Sequence, residues 1–95
     1  MIEVHIDLNL FEITRTEGVP DNPHENIYLE LISILWSVKE QASNSLVLLA
    51  LGSYLTQKYP SIPWKVVAFV DNVEVSRLEF QSLDESAPIS RLRSG

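Results

Sequence analysis

Between Ile2 and Leu10 every second residue is aliphatic: Ile2, Val4, Ile6, Leu8 and Leu10 alternate with Glu3, His5, Asp7 and Asn9. Successive side chains of a β-strand point to opposite faces, so this stretch predicts one aliphatic face and one polar face. An aliphatic strand face needs a cover. The only long helical periodicity lies between Asn22 and Tyr59, so the strand and its neighbours are expected to be roofed by helices.

After Leu10 the alternation changes phase, because Phe11 and Ile13 are apolar where Asp7 and Asn9 were polar. A single inserted residue accounts for this. With no Gly or Pro at the switch, a β-bulge near Leu10 and Phe11 is preferred to a turn. Thr14 to Asp21, punctuated by Gly18 and Pro20, reads as a polar loop.

Asn22-Pro23-His24-Glu25 has the order of a helix start: Asn caps free N–H groups, Pro suits the first turn, and Glu returns a bond to the cap. The helix expected from there carries Ile27, Leu31, Ile34, Leu35 and Val38 on one side, with Tyr28, Leu29, Ile32 and Trp36 widening it. At ~100° per residue this arc exceeds half the circumference, which places Trp36 in the core and demands more than one neighbour. Ser43, Asn44 and Ser45 are credible caps for a second helix, with one continuous helix as the alternative. Leu46 to Leu55 supplies its apolar residues, and Pro60 stops it. Lys65 to Val70 and Val73 to Phe80 then form a hairpin across Asp71-Asn72, residues that tolerate the positive φ of a primed turn. Val73 and Val75 share one face while Leu78 and Phe80 share the other, which calls for a twist, a bulge or an early end in that strand.

The expected fold is a two-layer α+β domain over residues 1–80 in β-α-α-β-β order. A small three-stranded mixed sheet carries both helices on one face, and a right-handed crossover sets the first two strands parallel. Residues 81–95 are mostly polar and read as a flexible tail.

Composition narrows the function classes. The 95 residues include no cysteine, which excludes disulfides, thiolate metal sites and a cysteine nucleophile. Net charge is −6 and the seven Lys and Arg are scattered, so nucleic acid is a poor partner. The uncharged run from Gln41 to Gln57 has an apolar centre only from Leu46 to Leu51, short of the about 20 residues of a membrane span. No basic-then-apolar leader opens the sequence, and a cytoplasmic setting is the plain reading.

Glu3, His5 and Asp7 share a strand face at a spacing of roughly 7 Å, too wide to close a metal site without ligands from a second element. His24 belongs to the expected helix start, elsewhere in the fold. Gly18, Gly52 and Gly95 stand alone, so neither a phosphate loop nor a nucleophile elbow is present. No catalytic residue, cofactor site or metal site is assigned. The partner-binding candidates are Trp36, Leu46, Leu49 and Trp64 from the apolar excess, and Glu3, His5 and Asp7 from the polar strand face. Trp64 follows a proline turn, where a plug for the helix-to-strand corner is preferred to an anchor for a partner. The leading expectation is a non-enzymatic protein-interaction domain, an adaptor or assembly subunit, with a homodimer interface that includes Trp36, Leu46, Leu49 or Trp64. The alternatives are an acidic inhibitor that covers a basic surface with Glu3, Asp7 and Glu74 or Glu79, and a metal-assisted hydrolase.

Overall fold

The computed structural model describes residues 1–40 and 43–81. The expected tail therefore lies, Gln81 apart, outside the described residues, as do Gln41 and Ala42 between the helices. The elements run β1 (Ile2–Asp7), β2 (Glu12–Glu17), α1 (Ile27–Ser37), α2 (Asn44–Lys58), β3 (Trp64–Val70) and β4 (Val73–Phe80). They build an α+β fold with a mixed sheet in the order β2-β1-β3-β4, in which β1 and β3 are parallel and each forms an antiparallel hairpin with its sequence neighbour.

The expected parallel pairing is present, with Ile2 beside Trp64, Val4 beside Val66 and Ile6 beside Ala68. Those residues form the buried face of the sheet. Leu31 and Leu35 of α1 and Val47, Leu48, Leu51 and Leu55 of α2 join them in one core cluster. The helices and the strands' aliphatic rows thus close on each other, as two layers each apolar on one side must.

The sheet has four strands, against the three expected. The phase change after Leu10 is a turn rather than a bulge: the Asp7 carboxylate accepts from the backbone N–H groups of Asn9 and Leu10 at 2.8 and 3.1 Å, and Phe11 takes φ 56°. A local Asx bond supplies the turn that glycine or proline would otherwise signal. The chain then returns as β2 through the stretch expected to be loop. Ile13 is its one buried residue, and the remainder alternates too weakly to announce a strand.

α1 begins later than Asn22. The Asn22 side chain accepts from His24 N–H at 3.0 Å and its carbonyl from Glu25 N–H, which closes a turn around Pro23. Asn26 is the true cap, accepting from Leu29 N–H at 3.2 Å. The expected helix break is present, with Ser43 capping α2 through Leu46 N–H. In the β3–β4 hairpin Asp71 and Asn72 have φ 52° and 66°, the positive pair of a type I′ turn. The expected irregularity in β4 is an extra residue, Val75, because the register moves from Ala68 opposite Ser76 to Phe69 opposite Glu74.

Candidate functional site

Two surfaces remain once the core is closed. One is the outward face of the sheet. The register places Glu17, Glu3, Lys65 and Glu79 in one row across it, and Arg15, His5, Val67 and Arg77 in the next. Asp7 stands between Glu12 and Phe69. The expected polar face of β1 is therefore real, and its three residues sit among the charges of all four strands.

His5 Nε2 donates to Glu3 Oε2 at 2.6 Å, and Lys65 Nζ stands 3.9 Å from the other Glu3 oxygen. The hydrogen bond from His5 holds the Glu3 carboxyl below the usual carboxylate range, with Lys65 and Arg15 adding to the effect while burial opposes it. The His5 ring lies 5.1 Å from that of Phe69. Arg15 pairs with Glu17, and Arg77 with Glu74 and Glu79. Val67, only 1% exposed, lies under this layer between His5 and Arg77. The face is a lattice of ion pairs in which Arg15, Lys65 and Arg77 each have a carboxylate. Asp7 and Glu12 have no basic partner among the described residues.

Chemically, His5 and Asp7 line one cleft together with Thr14, Phe69 and Asn72, and Glu3 is not part of it. Asp7 spends one oxygen on the turn at Asn9 and Leu10, so the Glu3, His5 and Asp7 row does not close around a point. Among the described residues no group of three or more His, Cys, Asp or Glu side chains is placed to hold a metal ion. His24 lies in the turn before α1, where its backbone N–H donates to Asn22 Oδ1.

The second surface is the helix layer. Trp36 is 51% exposed, and so is not the core residue that the arc of α1 suggested. The arc is too wide for one sheet: Leu31 and Leu35 are buried, while Tyr28, Leu29 and Trp36 face outward. Trp36 is held against the Phe11 turn, with ring centroids 6.4 Å apart, and Lys39 Nζ lies 3.9 Å above its ring. On α2, Leu46 and Leu49 are 45% and 51% exposed. Between the helices Tyr54 donates to Glu30, and burial followed by this bond pushes the Tyr54 phenol well above its ordinary range.

Trp64 is the plug expected of its position. It is 4% exposed, its ring stacks on Phe80 at 5.6 Å, and its indole N–H donates to Thr56 Oγ1 at 2.8 Å. The ring packs against Gly52, where a Cβ would come within 2.3 Å of it. Trp64 lines an apolar groove of about 350 Å³ between α2 and β4, together with Leu49, Leu78 and Phe80. Sequence reasoning missed this groove. The signal available was the shared face of Leu78 and Phe80 in β4, a face with no assigned cover.

No helix among the described residues is long and apolar enough to cross a membrane. No family model matches the chain, nor does any curated protein or solved structure.

Proposed function

We propose that this chain is a small cytoplasmic, non-enzymatic protein-interaction domain, an adaptor or an assembly subunit, and that it associates with a protein partner or with itself through its helix layer. The observation that carries this reading is the exposure of Leu29, Trp36, Leu46 and Leu49, large apolar side chains on two adjacent helices. Single exposed leucines are ordinary, but a tryptophan and several leucines on one layer leave an unusual apolar area in so small a fold. Aromatic anchors of this kind carry a large share of the energy at protein interfaces.

The test is affinity purification from source cells with the wild-type chain and with a Trp36→Ser/Leu46→Ser variant whose thermal unfolding matches wild type. A protein recovered in stoichiometric amount with wild type and lost with the variant is the expected result. Equal recovery of that protein with both chains, or no stoichiometric protein with either, overturns the assignment of the helix layer; a second copy of the chain recovered equally with both belongs to a different surface.

A second reading, an inhibitor that covers a basic surface, is favoured by the sheet face. There Glu3, Glu17, Glu74 and Glu79 are shared among Arg15, Lys65 and Arg77, and Asp7 and Glu12 are left without a cation among the described residues. A steep fall in partner affinity with salt distinguishes it from an apolar interface, which is nearly salt-independent. A metal-assisted hydrolase requires ligands to converge on Glu3, His5 and Asp7, an arrangement that receives no support from the geometry of the sheet face.

A further inference from the structure

β4 is an edge strand, paired with β3 on one side only. Its outer backbone groups make no bond to another described element. The extra residue at Val75 divides it, and the regular part that remains, Ser76 to Phe80, is centred on Leu78. Ser76, Leu78 and Phe80 point towards the helices, opposite Ala68, Val66 and Trp64, while Arg77 and Glu79 lie on the charged face.

Resting on the reading of the chain as a protein-interaction domain, we propose a contact surface separate from the helix layer: a second copy of this chain adds its β4 antiparallel to this one about a two-fold axis at Leu78, joining two sheets into one. The register is chosen by charge. A two-fold at Leu78 sets Arg77 of each copy opposite Glu79 of the other, and Ser76 opposite Phe80. A two-fold at Arg77 opposes two arginines, and one at Glu79 opposes two glutamates, both destabilising for directly facing residues. Of these three registers only the one at Leu78 is self-complementary, as an isologous contact requires.

The side-chain layer agrees with the backbone. The groove floored by Trp64 and lined by Leu49, Leu78 and Phe80 runs along this edge, and a second apolar cleft lined by Leu48, Leu49, Ser76 and Leu78 continues it. Leu49, half exposed in the single chain, overhangs both. Pairing at β4 brings a second Leu78 and Phe80 to the mouth of this groove and covers it. The opposite edge is built differently: β2 has its extra residue at Thr14 and only Arg15, Thr16 and Glu17 in regular pairing on one side of it. Its outer edge offers no uninterrupted stretch of comparable length.

The experiment is sedimentation of the full chain over a concentration series, with Arg77→Glu and Glu79→Arg studied singly and mixed in equal amounts. Wild type is expected to dimerise, and each variant alone to associate more weakly by roughly tenfold, because like charges then face each other twice. The mixture is expected to recover wild-type affinity. In the mixed dimer one chain is acidic at both positions 77 and 79 and the other is basic at both, so two opposite-charge pairs form again across the axis. The recovery guards against a variant that is merely misfolded. A wild-type monomer at every concentration overturns the proposal, as does a dimer that the variants leave unchanged or a mixture that fails to recover. Any of these leaves the reading based on Trp36 and Leu46 to its own test, because neither residue lies on the β4 edge.

Discussion

The sheet is made of two hairpins laid side by side with their inner strands parallel, and they are held by different means. In the first, the turn from β1 to β2 is organised by a side chain, the Asp7 carboxylate bonded to Asn9 and Leu10 N–H, with Phe11 in the left-handed region. In the second, the turn is organised by backbone conformation, with Asp71 and Asn72 both at positive φ. The two turns meet at one end of the sheet, where Asn9 Nδ2 donates to Asp71 Oδ1 at 2.8 Å. At the other end the second hairpin is locked by a bulky side chain, Trp64 beneath α2. At that end of the first hairpin, by contrast, Gly18 lies against the Met1 backbone, where a Cβ would stand 2.0 Å from the Met1 carbonyl oxygen. Similar hairpins can thus depend on a tryptophan in one case and on the absence of a side chain in the other.

The largest expected effect tests the lock on the second hairpin. Gly52→Ala removes a helix-interior glycine, which on propensity alone gains about 1 kcal/mol. The new Cβ, however, meets the Trp64 ring at 2.3 Å, and that ring is confined by Phe80 and its bond to Thr56. A contact this short, against a ring held on two sides, belongs at or above the upper end of the about 1–3 kcal/mol that overpacking costs, so a net loss of about 2 kcal/mol is expected, seen as a lower urea midpoint with an unchanged slope. A higher midpoint would show that Trp64 is free to step aside and that the lock is loose.

Next comes the turn of the first hairpin. Asp7→Ala removes the acceptor of two backbone N–H groups and is expected to cost about 1–2 kcal/mol, in the range of losing a helix cap. The matched change in the second hairpin, Asp71→Ala, loses one exposed bond to Asn9 and a residue suited to positive φ. It should cost less when the two urea midpoints are compared. Equal costs would remove the distinction between a side-chain turn and a backbone turn.

This difference also explains what can be read from the residues. The second hairpin is legible because its turn signal, Asp71-Asn72, is local and its strands are long, the first of them largely apolar. The parallel pairing of β1 with β3 follows from the aliphatic rows and the crossover. The first hairpin is not legible, because Leu8, Leu10 and Phe11 give its turn an apolar appearance that masks the polar cue of Asp7. The start of α1 is displaced for a related reason: Asn22 and Asn26 have the same capping chemistry, and Pro23 draws the first into a separate turn. Trp36 falls outside the core because periodicity shows which residues share a face but not how much of that face the sheet is wide enough to cover. Of the candidate site, the charged row of Glu3, His5 and Asp7 is visible along one strand. The groove under Leu49 is not, since it depends on the spacing between α2 and β4.

A stabilising change sharpens the same comparison. Asn72→Gly places in the second hairpin the residue that best tolerates φ near 66° in a type I′ turn. A gain of about 0.5 kcal/mol is expected, read as a higher melting temperature. Phe11, at φ 56°, invites the same substitution but should respond differently. Its ring contacts Trp36 and Lys39, so Phe11→Gly relieves strain while losing packing. A larger gain at Phe11 than at Asn72 would mean that the aromatic contact contributes little.

The smallest expected effect lies in acid. Glu3 on β1 is held below the usual carboxylate range chiefly by its bond from His5, and Glu74 on β4 chiefly by its bonds from Arg77. A carboxyl whose pKa is depressed in the folded state adds stability above its unfolded value. That contribution is lost as pH falls through the folded value, because the unfolded chain then takes up the proton first. Glu3→Gln and Glu74→Gln should each therefore flatten the loss of stability on acidification, as measured by urea unfolding across acidic pH. Both carboxylates are partly open to solvent, with side chains 26% and 39% exposed, so the contribution is modest and salt should screen Glu74 more than Glu3. An acid limb unaltered by either substitution would mean that these ion pairs order the sheet face without stabilising either hairpin.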